Sequence, residues 1–114
     1  MVKAELVLDS RGLLKSCRVK GHAGAGAKGS DIVCAAVSVL SSTVFKTLSG
    51  REGITLRGGA PERGGFWMET EIAADGPIGA FEFLAAAGAF LSEGFVSVSK
   101  EFPDFCNVKI ERRN

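Results

Sequence analysis

The sequence VKAELVLDSRGLLKSCRVK, residues 2–20, decides the fold because it alternates apolar and polar side chains around a central turn. Every second residue from Val2 to Leu8 is apolar, which is typical of a half-buried strand over Val2–Asp9. The Ser10-Arg11-Gly12 segment is a turn signal, and residues 13–20 are interpreted as the partner strand. Residues 2–20 are therefore predicted to form a β-hairpin.

A glycine-rich segment and a helix follow the hairpin. Residues 21–30, GHAGAGAKGS, predict a mobile loop because four glycines and three alanines leave the backbone free and bury little surface. A helix is predicted over residues 31–48, with Ser30 or Asp31 as its N-cap and Ser49-Gly50 at its end. The core stripe of this helix consists of Val33, Ala36, Val37, Leu40, Val44 and Leu48.

The second half of the chain predicts three more strands and a second helix. Residues 53–57 and 66–72 are strand candidates, with a glycine-rich loop over residues 58–65 between them. The helix starts at Pro77, reaches Glu101 and is stopped by Pro103, and residues 105–111 alternate as a last strand. The order ββαββαβ over residues 1–114 predicts a single α+β domain, with two helices packed against a mixed, mainly antiparallel sheet.

Composition excludes several classes of protein. The 114 residues suffice for one domain, and 46% of them are hydrophobic, which allows a genuine core. The net charge of +1 gives no reason to expect direct nucleic-acid binding or an electrostatically held membrane surface. The apolar stretches at residues 32–40 and 83–91 fall short of membrane-spanning length, and the N-terminus does not resemble a signal peptide. We therefore expect no membrane partner and a cytoplasmic location.

The cysteine content argues against disulfides and metals. The three cysteines, Cys17, Cys34 and Cys106, cannot all pair within one chain and show no CxxC spacing. Neither a disulfide framework nor a zinc site is indicated. With one histidine and scattered carboxylates, no metal site and no cofactor are expected.

Cys34 and His22 are the candidate catalytic residues. Cys34 is predicted in the first turn of the first helix, where partial positive charge and free N–H groups favour a thiolate. The only histidine, His22, lies in the loop that leads into this helix. A cysteine near a helix start is more often a small buried hydrophobe, as Cys17 and Cys106 are interpreted to be. The conjunction of His22 and Cys34 favours nucleophilic catalysis.

The helical wheel places the thiol beside the core stripe. Successive residues of a helix are separated by roughly 100°, so Cys34 lies about that far from Val33. Its flank carries Ser38, Ser41 and Phe45. The predicted position is a small, semi-polar edge that a substrate could approach.

A competing motif in the same loop is Gly24-x-Gly26-x-x-Gly29, which follows a strand and precedes a helix as in dinucleotide-binding proteins. The preceding strand belongs to a hairpin, and the acidic residue expected on a next parallel strand has no convincing candidate. The Walker pattern fails because the order is Lys28-Gly29-Ser30. A small nucleotide-binding domain that uses this loop remains an alternative.

Two blocks of the sequence resemble a known family. Gly21-His22-Ala23, a glycine-rich loop and then Asp31-Ile32-Val33-Cys34-Ala35-Ala36-Val37-Ser38 are similar to the ribosomal-processing cysteine protease family, known as Prp or YsxB-like. The two blocks are specific when they occur together at this separation. The resemblance extends over nearly the whole chain, by pattern alone in the C-terminal half.

The resemblance implies a function. Members of that family are homodimeric bacterial enzymes that remove a short N-terminal extension from a ribosomal large-subunit protein. Their catalytic dyad corresponds to His22 and Cys34. Gly21, Asp31 and Ser38 are then expected to support the site or bind substrate: Gly21 by giving the loop freedom, and Asp31 by shaping the helix start. A non-catalytic ribosome-associated interaction module is the other alternative.

Overall fold

The structure is a computed structural model that describes residues 1–21, 30–60 and 65–114. Its elements are β1 (Val2–Asp9), β2 (Leu14–Lys20), α1 (Ser30–Leu48), β3 (Ile54–Gly59), β4 (Gly65–Ile72), α2 (Ile78–Glu101) and β5 (Cys106–Arg113). The predicted order ββαββαβ is confirmed. His22, the predicted mobile loop and the motif with Gly24, Gly26 and Gly29 lie outside the described residues.

The five strands form one mixed sheet in the order β3-β4-β2-β1-β5. β1 pairs antiparallel with β2, β2 with β4, and β4 with β3, whereas β5 runs parallel to β1. The predicted hairpin therefore forms, and the sheet is mixed and mainly antiparallel as expected. The turn of the hairpin is held by Asp9, whose Oδ1 accepts from the backbone N–H groups of Arg11 and Leu13 at 2.8 and 3.0 Å.

Both helices cover the same face of the sheet. The Ser41 side chain of α1 lies close to Cys17 of β2, and a Cβ at Gly88 of α2 would lie 3.0 Å from Leu8 of β1. The strand residues on this face alternate with solvent-facing ones, as the period of a pleated strand requires. The buried apolar core is Val2, Ala4, Leu6, Leu8, Leu13, Leu14, Cys17, Val19, Val33, Val37, Val44, Leu48, Met68, Leu84, Ala87, Leu91, Phe95 and Cys106.

The two helices run antiparallel. A Cβ at Gly94 would lie 3.0 Å from Leu40 Cδ1, and the Arg51 guanidinium lies 3.7 Å from the centroid of the Phe83 ring. Positions later in α1 therefore contact positions earlier in α2. The start of α1 consequently lies beside the end of α2, near the first residues of β5.

The structure corrects several predicted ends. α1 begins at Ser30, so Ser30 and Asp31 are helical residues and neither is the N-cap. Pro77 is the N-cap of α2, and its first helical residue is Ile78. β5 runs on to Arg113 because β1 offers pairing partners as far as Asp9.

The strand β3 also extends beyond its predicted end. Gly58 and Gly59, interpreted as loop residues, pair with Met68 and Trp67 of β4. A Cβ at Gly58 would overlap the carbonyl oxygen of Trp67. Glycine at this position therefore permits a close backbone approach that continues the strand. The sequence pattern predicts instead that the strand ends before this glycine.

Both helices are long and apolar enough to cross a membrane by length and composition alone. The mean hydropathy is 1.5 over Asp31–Leu48 and 1.4 over Ile78–Glu101. The apolar stretches identified in the sequence at residues 32–40 and 83–91 are shorter than the apolar helices that contain them. Each helix packs one side on the sheet, and core helices of soluble domains give the same signal, so this is weak evidence for a membrane location.

Candidate active site

Cys34 is the fifth residue of α1 and its side chain is half-buried. Because α1 begins at Ser30, Cys34 opens the second turn, and the prediction of a first-turn position is wrong by one residue. The N–H groups without helical acceptors belong to the first turn. The positive end of the helix dipole therefore lies one turn before the thiol.

The flank of α1 that carries Cys34 faces away from α2. Phe45 follows Cys34 by eleven residues, about three turns, and packs edge-on against Phe66 of β4 with 6.0 Å between ring centroids. Leu40, which contacts α2, lies on the opposite flank. Cys34 packs against the edge of the core, so the predicted edge position is what the structure has.

The three other helical residues of interest differ in exposure. Ser38 lies one turn after Cys34 and is exposed, and Asp31 is exposed in the first turn. Ser41 is not part of a semi-polar edge: it is 1% exposed, and its hydroxyl donates to the carbonyl oxygen of Val37 at 2.8 Å.

Gly21 directly follows β2 and packs against the start of the chain. Its φ is +112°, and a Cβ at this position would overlap the carbonyl oxygen of Met1. The neighbouring Val2 N–H donates to the carbonyl oxygen of Phe105 at 2.8 Å, which ties the start of β1 to the start of β5. A side chain at position 21 would therefore collide with the backbone of Met1. The sequence predicted glycine here for loop freedom, but the structure requires it for this close contact.

Gly21 and Cys34 lie at the same end of the molecule. The start of α1 is beside the end of α2, and β5, which follows α2, begins next to the first residues of β1. Gly21 packs on those first residues. His22 follows Gly21 in the chain and lies outside the described residues. The described geometry therefore concerns Gly21 and Cys34.

Two neighbouring features bear on the alternatives. Both neighbours of β2 run antiparallel to it, so β2 and α1 do not belong to a βαβ unit of adjacent parallel strands, the context of a dinucleotide-binding loop. Among residues 1–21, 30–60 and 65–114, no group of three His, Cys, Asp or Glu side chains could hold a metal ion.

Residues 1–107 match the family model described as cysteine protease Prp. This chain belongs to the cysteine protease Prp family. It is therefore a cysteine peptidase, and the resemblance of the two sequence blocks is confirmed. Among proteins of curated function, no sequence is significantly similar to this chain.

Solved structures share the Prp fold of this chain. A protein from Streptococcus mutans, SMU.848, has 27% identity and a TM-score of 0.73, covering 99% of this chain and 96% of its own. The ribosomal processing protease Prp from S. aureus, in complex with a covalently linked product peptide, has 18% identity and a TM-score of 0.69 over 96% and 99% of the two chains. The same protease with a substrate peptide has 18% identity and a TM-score of 0.67, with the same coverage.

The other two cysteines of this Prp family member are poor nucleophiles. Cys17 and Cys106 are 1% and 3% exposed beneath the helices. Burial raises the pKa of the Cys17 thiol to about 12, against a smaller lowering by the Ser41 hydroxyl, and burial also raises the pKa of Cys106. Burial therefore favours the protonated form of both thiols at neutral pH, whereas the thiolate is the reactive form.

We expect brief iodoacetamide treatment at neutral pH to label Cys34 at least about tenfold faster than Cys17 or Cys106, because those two thiols are shielded and protonated. Peptide mapping by mass spectrometry measures the three rates. The control is the same treatment in urea, where all three cysteines become accessible and label at comparable rates. Faster labelling of Cys17 or Cys106 in the folded protein would contradict the assignment.

Gly21→Ala is expected to lower the unfolding free energy by more than about 1 kcal/mol, because alanine is strained at positive φ and its Cβ would strike Met1. Since Gly21 precedes His22, the backbone shift should also lower the peptidase rate per folded molecule. Urea unfolding and a cleavage assay measure the two effects. Gly50→Ala is the matched control, since Gly50 has φ +77° and a Cβ there would meet nothing within 4 Å. Equal stability losses and full activity in both variants would refute a positioning role for Gly21.

Proposed function

We propose that this Prp family peptidase removes an N-terminal extension from a bacterial ribosomal large-subunit protein, with Cys34 as nucleophile and His22 as general base. The observation that carries the proposal is the place of Cys34, a half-buried thiol just after the positive end of α1 and beside the surface of the domain. The ribosomal processing protease from S. aureus, which has the same fold, supports the substrate class.

The proposed chemistry needs only the protein's own groups. His22 takes the proton of the Cys34 thiol, and the thiolate attacks the scissile carbonyl carbon to form a C–S bond. The tetrahedral intermediate collapses, the C–N bond breaks, and His22 gives its proton to the leaving amine. Water, deprotonated by His22, then attacks the thioester, which releases the carboxylate product and returns the thiol.

The first turn of α1 supplies candidate groups for stabilising the oxyanion. Its N–H groups have no acceptor within the helix and lie one turn before Cys34. Such donors act best where they are fixed before the reaction begins. Gly21 supports the placement of His22, because consecutive Cα atoms lie about 3.8 Å apart and Gly21 is held against Met1.

The decisive experiment uses the large-subunit ribosomal protein of the same genome that carries an N-terminal extension. The purified peptidase and this protein are incubated together, and intact mass spectrometry follows the substrate. We expect a single mass loss equal to an N-terminal segment. Stable binding without any mass loss would instead identify a non-catalytic ribosome-associated module, and cleavage inside the folded part of the substrate would refute the extension as the target.

The proposal includes a homodimer in the cytoplasm. The outer surface of the helix layer exposes Ile32 and Val39 of α1 by 59% and 64%, and Phe90 of α2 by 50%. Phe90 lies one turn before Gly94, which contacts Leu40, so these side chains share one surface. An apolar surface of this kind is better covered than exposed to water, and a second copy of the chain would cover it.

Sedimentation velocity tests the dimer. We expect the wild type to sediment as a dimer at micromolar concentration, and Val39→Glu to weaken association by at least about tenfold, because a charge would have to lose its water in the interface. Ile78→Glu is the matched control: Ile78 is 77% exposed at the far end of α2, and the dimer should persist. A monomeric wild type at high micromolar concentration would contradict the dimer.

A further inference from the structure

In the described part of the chain, neither helix covers the second face of the sheet, and its side chains form rows across the strands. The register places Asn107, Lys3, Lys20 and Gly65 in one row. The next row is Lys109, Glu5, Arg18, Trp67 and Gly59. These two rows contain four cations, Lys3, Lys20, Lys109 and Arg18, and one carboxylate, Glu5. We call this sheet surface the open face.

Trp67, the only tryptophan of the chain, lies on the open face and is half-buried. Its cross-strand partner on β3 is Gly59, and Gly65 lies two residues before it on the same face of β4. A Cβ at Gly59 would meet nothing within 4 Å. A depression of about 390 Å³ lies beside Trp67, and it is lined by Arg18, Val19, Lys20, Gly65, Phe66, Trp67 and Glu69.

The cations beside this depression are available to a ligand. Lys3, Arg18 and Lys20 are exposed, and none forms an ion pair with a carboxylate in the described part of the chain. The carboxylate at its other side is already engaged, because Arg57 Nη2 donates to Glu69 Oε2 at 3.0 Å. We call Lys3, Arg18 and Lys20 the cationic corner.

The net charge of the whole chain does not show this local excess of positive charge. The two helices on the other side of the molecule carry four carboxylates, Asp31, Glu82, Glu93 and Glu101, against two lysines. Their excess negative charge offsets the positive charge of the open face. The near-neutral total of +1 therefore reflects a segregation of charges, and the absence of a nucleic-acid footprint does not follow from it.

We propose that the open face binds a single-stranded nucleic acid, with a base stacked on Trp67 and phosphates at the cationic corner. Trp67 is half-buried, and it lies beside cations that form no ion pair in the described part of the chain. An accessible aromatic ring next to such cations is the combination that holds single strands without reading their sequence. The phosphates supply the negative charge that the corner lacks. This site lies on the opposite side of the sheet from α1 and Cys34, and it adds a binding function that is separate from the peptidase.

The test uses the purified full chain and a short oligouridylate labelled with fluorescein. Binding is followed by anisotropy and by the intrinsic fluorescence of Trp67, which reports on this site alone. We expect saturable binding with quenching of the Trp67 fluorescence. The logarithm of the association constant should fall with the logarithm of the salt concentration with a slope of about −2, because three phosphate contacts to a single strand imply this value. Binding without quenching would overturn the proposal.

Variants separate stacking from charge. Trp67→Ala is expected to weaken binding by roughly tenfold or more, and Trp67→Phe, which keeps an aromatic ring and protects the proposal against a folding defect, by less. Arg18→Gln should weaken binding and flatten the salt slope, whereas Lys46→Gln, which removes one positive charge on the helix side, should do neither. Equal effects of Arg18→Gln and Lys46→Gln would overturn the site.

Competing ligands decide the occupant. Uridine monophosphate should bind more weakly than the oligonucleotide; equal affinity would identify a free nucleotide and overturn the assignment to a chain. Polyglutamate should not quench Trp67, and quenching by this peptide with matching affinity would identify an acidic protein partner instead. Cleavage of a short peptide should be unchanged in Trp67→Phe, so failure of this proposal and failure of the proposed peptidase role give different results.

Discussion

Cys34→Ala is expected to abolish cleavage of the extended ribosomal protein while the fold survives. The thioester cannot form without the sulfur, and Cys17 and Cys106 are buried under the helices with raised pKa values. The half-buried site at the edge of α1 loses little packing, well below the roughly 2–5 kcal/mol of a large core truncation. Intact mass spectrometry of the substrate measures cleavage, and circular dichroism with urea unfolding measures the fold.

Two further variants make the Cys34 result interpretable. Cys106→Ala makes the same chemical change at a buried cysteine, and we expect it to keep the cleavage rate despite a modest loss of stability. Cys34→Ser keeps the shape but replaces the thiol with a hydroxyl, which is far harder to ionise, so its rate should be close to that of the alanine variant. Cleavage of the substrate by Cys34→Ala at the wild-type rate would contradict the assignment of Cys34 as the nucleophile.

His22→Ala has the second-largest expected effect, a loss in kcat/KM of about 10²–10⁴ at neutral pH, the usual contribution of a positioned general base. His22 is the only histidine, so no second imidazole can take the proton from Cys34. The fold is expected to survive, because His22 lies in a glycine- and alanine-rich segment between the predicted strand and helix. Steady-state cleavage of a peptide that spans the extension junction measures the loss.

Chemical rescue provides the control for His22. Free imidazole should restore part of the activity of His22→Ala, because it can enter the space of the lost ring and act as the base. It should restore nothing to Cys34→Ala, whose nucleophile is missing. A His22→Ala enzyme within tenfold of the wild type, or equal stimulation of both variants by imidazole, would argue against the dyad.

The elements were largely predictable because their signals are local. Alternation in residues 2–20 and helical spacing after Asp31 depend only on neighbouring side chains, and the structure has a hairpin and a helix there. The ends were less predictable. Gly58 and Gly59 were predicted as loop residues but pair with β4. The point where a strand ends depends on the neighbouring strand that pairs with it as well as on the propensity of its own residues.

The position of Cys34 on its helix was predictable, and the packing of the residues around it was less so. Helical periodicity alone placed Cys34 beside the core stripe, and its half-buried position agrees with this. The same wheel assigned Ser41 to a semi-polar edge, whereas Ser41 is buried against Cys17. The width of the buried stripe depends on how α1 sits over the sheet, which no periodicity specifies.

The sequence by itself determined the order of the elements and the family, and it supplied the hypothesis that Cys34 acts with the single histidine, because each follows from neighbours along the chain. Only the tertiary structure decided which residues meet from distant positions. It packs Gly21 on Met1, buries two of the three thiols and gathers Lys3, Arg18, Lys20 and Trp67 on the open face of the sheet. Strand register and helix placement bring these groups together, and both are set by packing across the whole domain rather than by local propensity.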